Sequence, residues 1–223
     1  MVGKSTINGP VPRGAGGMAA RLHWSWRAFA VLAIAFAFSG PALAQEGATG
    51  GGLTGRLLVA APTLRDPNFF HTVIYIVQHD PGGALGIVVN RVLGTGPAAQ
   101  VLELFGLRDD GAEGELRVYA GGPVQPSSGL VLHSPDYVGE GTTVVNEDFA
   151  LTSDAEVVRA IARGEGPRNS LIAFGYAGWG PGQLDDEIAQ EAWVDVPADE
   201  AIVFDDDLES KWRRAFALRS VDL

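Results

Sequence analysis

The sequence predicts a single domain of mixed strands and helices, and three observations predict it. Short β-branched runs such as Thr72-Val73-Ile74-Tyr75-Ile76-Val77 are bounded by turn residues, as buried strands are. Between them lie segments with a helical apolar stripe, at residues 97–107 and 208–218. No internal repeat and no second linker divides the 223 residues, which suits one core of ordinary size.

The elements follow in order. Residues 45–55 are Gly-rich without an apolar period and read as a flexible lead-in. Residues 57–60 are a short strand stopped at Pro62, and Asp66-Pro67-Asn68 is a turn, because the residue before proline is pushed out of helical geometry. The strand at 72–77 turns at Asp80-Pro81-Gly82-Gly83 into a second at 85–89, which makes a hairpin. Asn90 and Arg91 close that strand, and an arginine there can pair a carboxylate or hold an anion. After the helix at 97–107, residues 109–115 are an acidic exposed loop, and 116–120 are a strand. That strand runs into Gly121-Gly122-Pro123, which lacks the Lys and Ser/Thr of a phosphate loop and reads as a packing turn.

Further strands are expected at 130–133 and 142–145. Ser153-Asp154-Ala155-Glu156 has the spacing of a capping box, opening a helix that buries Val157, Val158 and Ile161. Gly164, Gly166 and Pro167 stop it. The chain is organised around residues 174–188, Phe-Gly-Tyr-Ala-Gly-Trp-Gly-Pro-Gly-Gln-Leu-Asp-Asp-Glu-Ile. It reads as the end of an apolar strand, a tight turn made by Gly175, Gly178, Gly180 and Gly182, and a helix with Pro181 at its first position. Asp185, Asp186 and Glu187 suit the positive end of that helix. Residues 193–197 alternate like an edge strand, 202–204 read as another strand, and Trp212 and Phe216 share one face of a final helix.

Three ordered blocks carry a family resemblance. The 174–188 stretch, the block at 58–91, and Gly121-Gly122-Pro123-Val124 with Leu130-Val131-Leu132-His133 resemble the YqgE/AlgH family of bacterial proteins over about residues 53–220. The resemblance implies an α+β domain with a bent mixed or antiparallel sheet curled into a pseudo-barrel and flanked by helices, here at residues 56–223. No reaction defines the family, and one member is linked to regulation of alginate production. Two positions depart from the pattern: Val92 stands where proline is usual after Asn-Arg, and Asp185 where glutamate is usual after Gln-Leu.

The first 44 residues stand apart. Arg21 and Arg27 precede an uncharged, mostly apolar run at 28–38, followed by Gly40-Pro41 and Ala42-Leu43-Ala44, the order of a secretory signal with cleavage after Ala44. The run falls short of the roughly 20 residues of a bilayer span, so no stable membrane anchor is expected after cleavage. Residues 1–17 fit neither signal nor fold, which makes Met18 an alternative start. The expected location is periplasmic or secreted, although the family resemblance implies a cytoplasmic one.

Cleavage removes Lys4, Arg13, Arg21 and Arg27 and no acid, which takes 16 Lys plus Arg to 12 against 27 acids, and the net charge from −11 to −15. Nucleic acid is not an expected partner of such a surface. With no cysteine, disulfides, thiolate metal sites and lipid attachment through cysteine are excluded.

Catalytic chemistry finds little to work with. His71 and His79 flank one strand at ~26 Å for ~3.3 Å per residue, too far to share an ion, and no helical zinc motif is present. No Gly-x-Ser-x-Gly exists, and Ser127, Ser128 and Ser134 are only sequence neighbours of His133. No catalytic residue, metal or cofactor is therefore assigned. The candidate binding residues are Asn90, Arg91, Gly121, Gly122, Tyr176, Trp179, Gln183, Asp185 and Glu187, a surface for a small ligand or a protein partner. Two alternatives stand beside this non-enzymatic binding or regulatory domain. One is a hydrolase acting through the carboxylates at the Gly-Trp-Gly turn. The other is an intracellular regulator, should the signal stay uncleaved.

Overall fold

A computed structural model describes residues 52–108 and 111–220. The segment read as a signal, most of the lead-in and Asp109-Asp110 of the acidic loop lie outside the described residues. The end of the lead-in is joined to the sheet, because the Gly55 N–H donates to the Ile76 carbonyl at 2.8 Å.

Ten strands form one sheet among the described residues: β1 (Arg56–Ala60), β2 (Val73–Asp80), β3 (Gly83–Val88), β4 (Val92–Pro97), β5 (Glu115–Ala120), β6 (Val124–His133), β7 (Thr142–Val144), β8 (Ala150–Thr152), β9 (Ser170–Trp179) and β10 (Trp193–Pro197). Its main path runs β10-β1-β2-β3-β9-β6-β8-β7, while β4 pairs β5 and β5 joins β9 in parallel. Among the described residues five α-helices lie between and after the strands: α1 (Ala98–Leu104), α2 (Glu156–Ala162), α3 (Gln183–Ala189), α4 (Glu200–Val203) and α5 (Leu208–Ala217). The expected hairpin is β2–β3, with a bulge between Ile76 and Gln78.

The curl of this sheet is made on β9. Its first half, Ile172 to Phe174, lies between β5 and β6, whereas Ala177 to Trp179 pair with β3. At the change of partner the chain crosses at Gly121: the Gly121 N–H donates to the Phe174 carbonyl at 2.8 Å and the Val88 N–H donates to the Gly121 carbonyl at 2.9 Å. A Cβ on Gly121 would lie 2.2 Å from the Gly175 carbonyl oxygen, and Gly175 itself takes φ +74°. Two backbones meet where no side chain fits.

Several expectations are corrected. The strand of the 174–188 stretch continues to Trp179, so Gly175 and Gly178 lie inside β9 and the turn is only Gly180-Pro181-Gly182. Pro181 precedes the helix, whose N-cap is Gly182 at φ 70°. Residues 202–204 do not form a strand; α4 covers Glu200–Val203, capped by Asp199 accepting the Ala201 N–H at 2.8 Å. At α2 the expected capping box does not form: the N-cap is Ala155, which has no side-chain cap bond, and Asp154 before it accepts the Glu156 N–H at 3.0 Å. Strands β4 and β8 have no counterpart in the sequence reading.

The main core, one side of the curled sheet, gathers Tyr75, Val89, Phe149, Leu171 and Val203 under α4 and α5. A second cluster joins Ile74, Trp179, Leu184 and Trp193 beneath α3, and a third joins Val101, Leu102, Val157, Val158 and Ile172 beneath α1 and α2.

Candidate functional site

The Gly-Trp-Gly turn is built as a clamp. Trp179 ends β9 and Trp193 begins β10, and both indoles are buried edge-on at 6.1 Å. Between them stands Glu187 of α3, whose Oε2 accepts the N–H of Trp179 at 3.0 Å and that of Trp193 at 2.8 Å. Its Oε1 accepts from Gln183 Nε2 at 2.9 Å, and Gln183 Oε1 accepts the Gly180 N–H at 3.1 Å. Buried indole donors need acceptors, and one carboxylate satisfies both while tying α3 to two strands.

Asp185, two residues earlier and so on another face of the helix, points outward with a side chain 66% exposed, 3.6 Å from His79 Nε2. His79 Nδ1 accepts the Leu53 N–H at 3.2 Å, so the ring proton lies on Nε2, toward the carboxylate. The two carboxylates thus look in different directions: Glu187 is engaged inside the fold and Asp185 is in water.

Asn90 and Arg91 form a separate group. Asn90 Oδ1 accepts the Val73 N–H and its Nδ2 donates to the His71 carbonyl, both at 2.9 Å. Arg91 donates to the carbonyls of Phe70 at 3.0 Å and Pro67 at 3.4 Å. Both groups touch the loop at 66–71, one through Phe69 packed on Trp193 at 5.5 Å, the other through Phe70. That loop carries His71 at φ 52°, its ring stacked between Phe70 at 3.9 Å and Trp212 at 4.1 Å. Gly121 and Gly122 serve the crossing on β9, where a Cβ on Gly122 would meet the Tyr176 backbone at 2.1 Å. Tyr176 is half-buried against the main core.

His133 is fully buried in a hydroxyl chain. Its Nδ1 donates to the Ser134 carbonyl at 2.8 Å and its Nε2 accepts from Thr152 Oγ1 at 2.6 Å, which in turn meets Thr142 Oγ1 at 2.8 Å. Burial pushes this imidazole below its usual range. Ser134 Oγ donates to Asp136 instead, at 2.5 Å, so no serine nucleophile faces the ring. Among the described residues no group of three or more His, Asp or Glu is placed to hold a metal ion. None of their helices is long and apolar enough to cross a membrane.

Two features escaped the sequence reading. Lys211 of α5 is fully buried, with Nζ donating to the carbonyls of Val203 at 2.7 Å and Val89 at 3.0 Å. Its signal was its place on the stripe of Leu208 and Ala215. The other is a cleft of about 520 Å³ over β4, walled by α1 and by Pro126 and Ser127 of β6. Leu93, Thr95, Gln100, Leu104 and Phe174 line it. Leu93 and Leu104 are 63% and 62% exposed there. Nothing in Val-Leu-Gly-Thr-Gly-Pro has a strand period, so neither β4 nor its cleft was legible.

These features define an α+β domain with a curled sheet and an open apolar cleft. The chain belongs to the AlgH-like family, whose profile matches residues 57–223. It is similar to a UPF0301 protein of Methylococcus capsulatus, 45% identical over 162 residues, 73% of this chain and 88% of that one. A UPF0301 protein of Rhizobium rhizogenes is 41% identical, over 76% of this chain and 88% of its own. Among solved structures it is similar to the solution structure of AlgH from Pseudomonas aeruginosa, at 38% identity and a TM-score of 0.65, covering 80% of this chain and 94% of that one. A crystal structure from Corynebacterium diphtheriae, at 22% identity and a TM-score of 0.55 over 71% of this chain and 82% of its own, shares the fold.

Proposed function

We propose that this chain is a non-enzymatic binding domain that works outside the cytoplasm, and that the cleft over β4 is its binding surface. The carrying observation is that cleft: about 520 Å³, with an uncharged lining, in a chain of net charge −11. The volume lies within the roughly 300–1,000 Å³ of small-ligand sites, and an apolar wall with a few polar groups is their usual chemistry. Export rests on the basic, apolar and small-residue order of residues 21–44. The hydrolase alternative lacks support, because catalysis requires two carboxylates facing one cleft, while Glu187 is held by two indoles and Asp185 faces water. An intracellular regulatory role is the second reading, which the family resemblance implies should the signal at residues 21–44 stay uncleaved.

The test is titration of the full chain with the amphipathic dye 1-anilinonaphthalene-8-sulfonate, whose aromatic body suits an apolar cleft while its sulfonate stays in water. Saturable binding is expected, weakened at least tenfold by Leu104→Glu, which puts a charge into the cleft wall. Absence of saturable binding, or binding untouched by that substitution, overturns this assignment.

A further inference from the structure

The wall of the cleft is an edge strand with two bare positions. Strand β4 pairs with β5 alone among the described strands. Residues two apart in a strand share a face, so Gly94 and Gly96 lie together on the side where Val118, opposite Gly94, helps line the cleft. Neither glycine has a positive φ. A Cβ on Gly94 would meet nothing within 4 Å, and one on Gly96 only Gln100 Oε1 at 3.8 Å. The contrast with Gly121 and Gly175 is sharp, since those have backbone where a Cβ would be. Glycine weakens a strand interior by roughly 0.5–1 kcal/mol relative to alanine, and the fold itself gives no reason for it at 94 or 96. What the two glycines do is keep the cleft open.

The edge also presents main chain. The Ala98 N–H donates to the Gly114 carbonyl, which sets the alternation of the antiparallel pair. Counting back by twos, Gly96 opposite Leu116 and Gly94 opposite Val118 turn their polar groups toward β5. Thr95, opposite Arg117, turns its N–H and C=O outward, and it is exposed.

We infer, on the reading that the cleft is the binding surface, that its occupant is an extended peptide segment of a partner protein, which adds to the free edge of β4. The added strand hydrogen-bonds to Thr95 and leans an uncharged apolar side chain across Gly94 and Gly96 toward Leu104 and Phe174. Main-chain pairing supplies affinity and the pocket for alternate side chains supplies specificity. Charge complementarity selects the side chain: among the described residues no ionisable group lines the cleft, although the chain carries 27 acids and 16 bases. Charge argues against a second copy of this chain, because a net charge of −11 on each copy favours the monomer.

The test uses the full chain and an array of eight-residue peptides that alternate Leu, Phe, Val or Ile with Thr, Ser or Gln. A matched array carries N-methyl groups on alternate amides. Binding of a subset is expected, weakened at least tenfold by N-methylation and by Gly94→Leu, with slowed hydrogen exchange at the Thr95 amide. Gly94→Leu is first shown to unfold at the wild-type denaturant midpoint; Thr95→Pro, which removes the outward N–H without breaking a ladder bond to β5, is the second variant, with Thr95→Ala as its control for the lost side chain. Equal binding of the N-methylated array overturns the strand-pairing assignment. So does saturable dye binding with no peptide bound, which leaves the binding-domain reading standing with a small-molecule occupant. A dimer that Gly94→Leu dissociates overturns it in favour of a second copy. If neither dye nor peptide binds, both readings fall together.

Discussion

Trp193 donates its indole N–H to Glu187 Oε2 at 2.8 Å, and the same oxygen takes the Trp179 indole at 3.0 Å. One carboxylate therefore holds the end of β9, the start of β10 and helix α3. Glu187→Ala leaves two buried donors unpaired, each costing about 1–3 kcal/mol. The expected loss is about 3 kcal/mol, read as a lower urea midpoint with unchanged slope, and Glu187→Gln, which keeps an acceptor, loses about a third as much. A midpoint unmoved in Glu187→Ala sinks the clamp.

The glycines divide into two kinds with opposite outcomes. Gly121→Ala drives a Cβ into the Gly175 carbonyl at 2.2 Å, with backbone on both sides unable to yield, and is expected to cost more than about 3 kcal/mol or abolish folding. Gly94→Ala adds a methyl to open space and is expected to stay within about 0.5 kcal/mol of wild type, or to gain stability. Chemical denaturation of the pair decides it.

Lys211 sets an alkaline pH dependence. Burial is the main cause that takes its ammonium down to about 8 from 10.5, while the charges of Asp205 and Asp206 oppose the shift and Arg214 and Arg117 add to it. Between pH 8 and 10.5 the unfolded chain binds this proton and the folded one does not, so stability rises with pH across that window, by roughly 3 kcal/mol in all. Tyr75, fully buried and raised above 10.0 chiefly by burial, acts the other way: above pH 10 the unfolded phenol ionises and the folded one does not, and stability falls. A maximum near pH 10 is expected. In Lys211→Met the rise from pH 8 should vanish while the fall above 10 remains; a wild-type profile flat from 7 to 10 contradicts the assignment.

His133 gives the acidic counterpart. Burial lowers its imidazole below 6.5, so the folded state holds it neutral while the unfolded chain takes up a proton, and stability falls as pH drops through 6.5 toward the folded value. The hydroxyl of Thr152 is the partner of Nε2, at 2.6 Å. Thr152→Val removes that partner and is expected to cost about 1–2 kcal/mol at pH 7. Urea titrations from pH 7 to 5 on the wild type and on His133→Leu test it, the variant losing the slope.

Export is decided by intact mass. Spectra of periplasmic and cytoplasmic extracts are expected to show a form beginning at Gln45 outside the cytoplasm. A full-length chain confined to the cytoplasm removes export and makes intracellular regulation the leading reading.

Much of the fold was written locally. The β-branched run in β2, the Asp80-Pro81-Gly82-Gly83 turn and the stripe of α5 are each consequences of neighbours within one or two turns of chain, and they appear where expected. Residues 202–204 misled because three apolar residues in a row suit a buried strand or one turn of helix alike; Asp199, capping from outside the run, decides for helix. The site was less legible. Sequence supplied its residue types and the family, yet gave no means of telling a tryptophan that faces a ligand from one that donates to Glu187. Nor did it separate the glycines demanded by crossing backbones from those that leave a cleft open. Composition and short-range pattern determined the α+β class, since propensity and period act between near neighbours. Only the tertiary structure decided where β9 changes partners, which carboxylate is consumed and where the cleft lies, because each depends on atoms brought together from distant parts of the chain, as Lys211 is with Val89 across 122 positions.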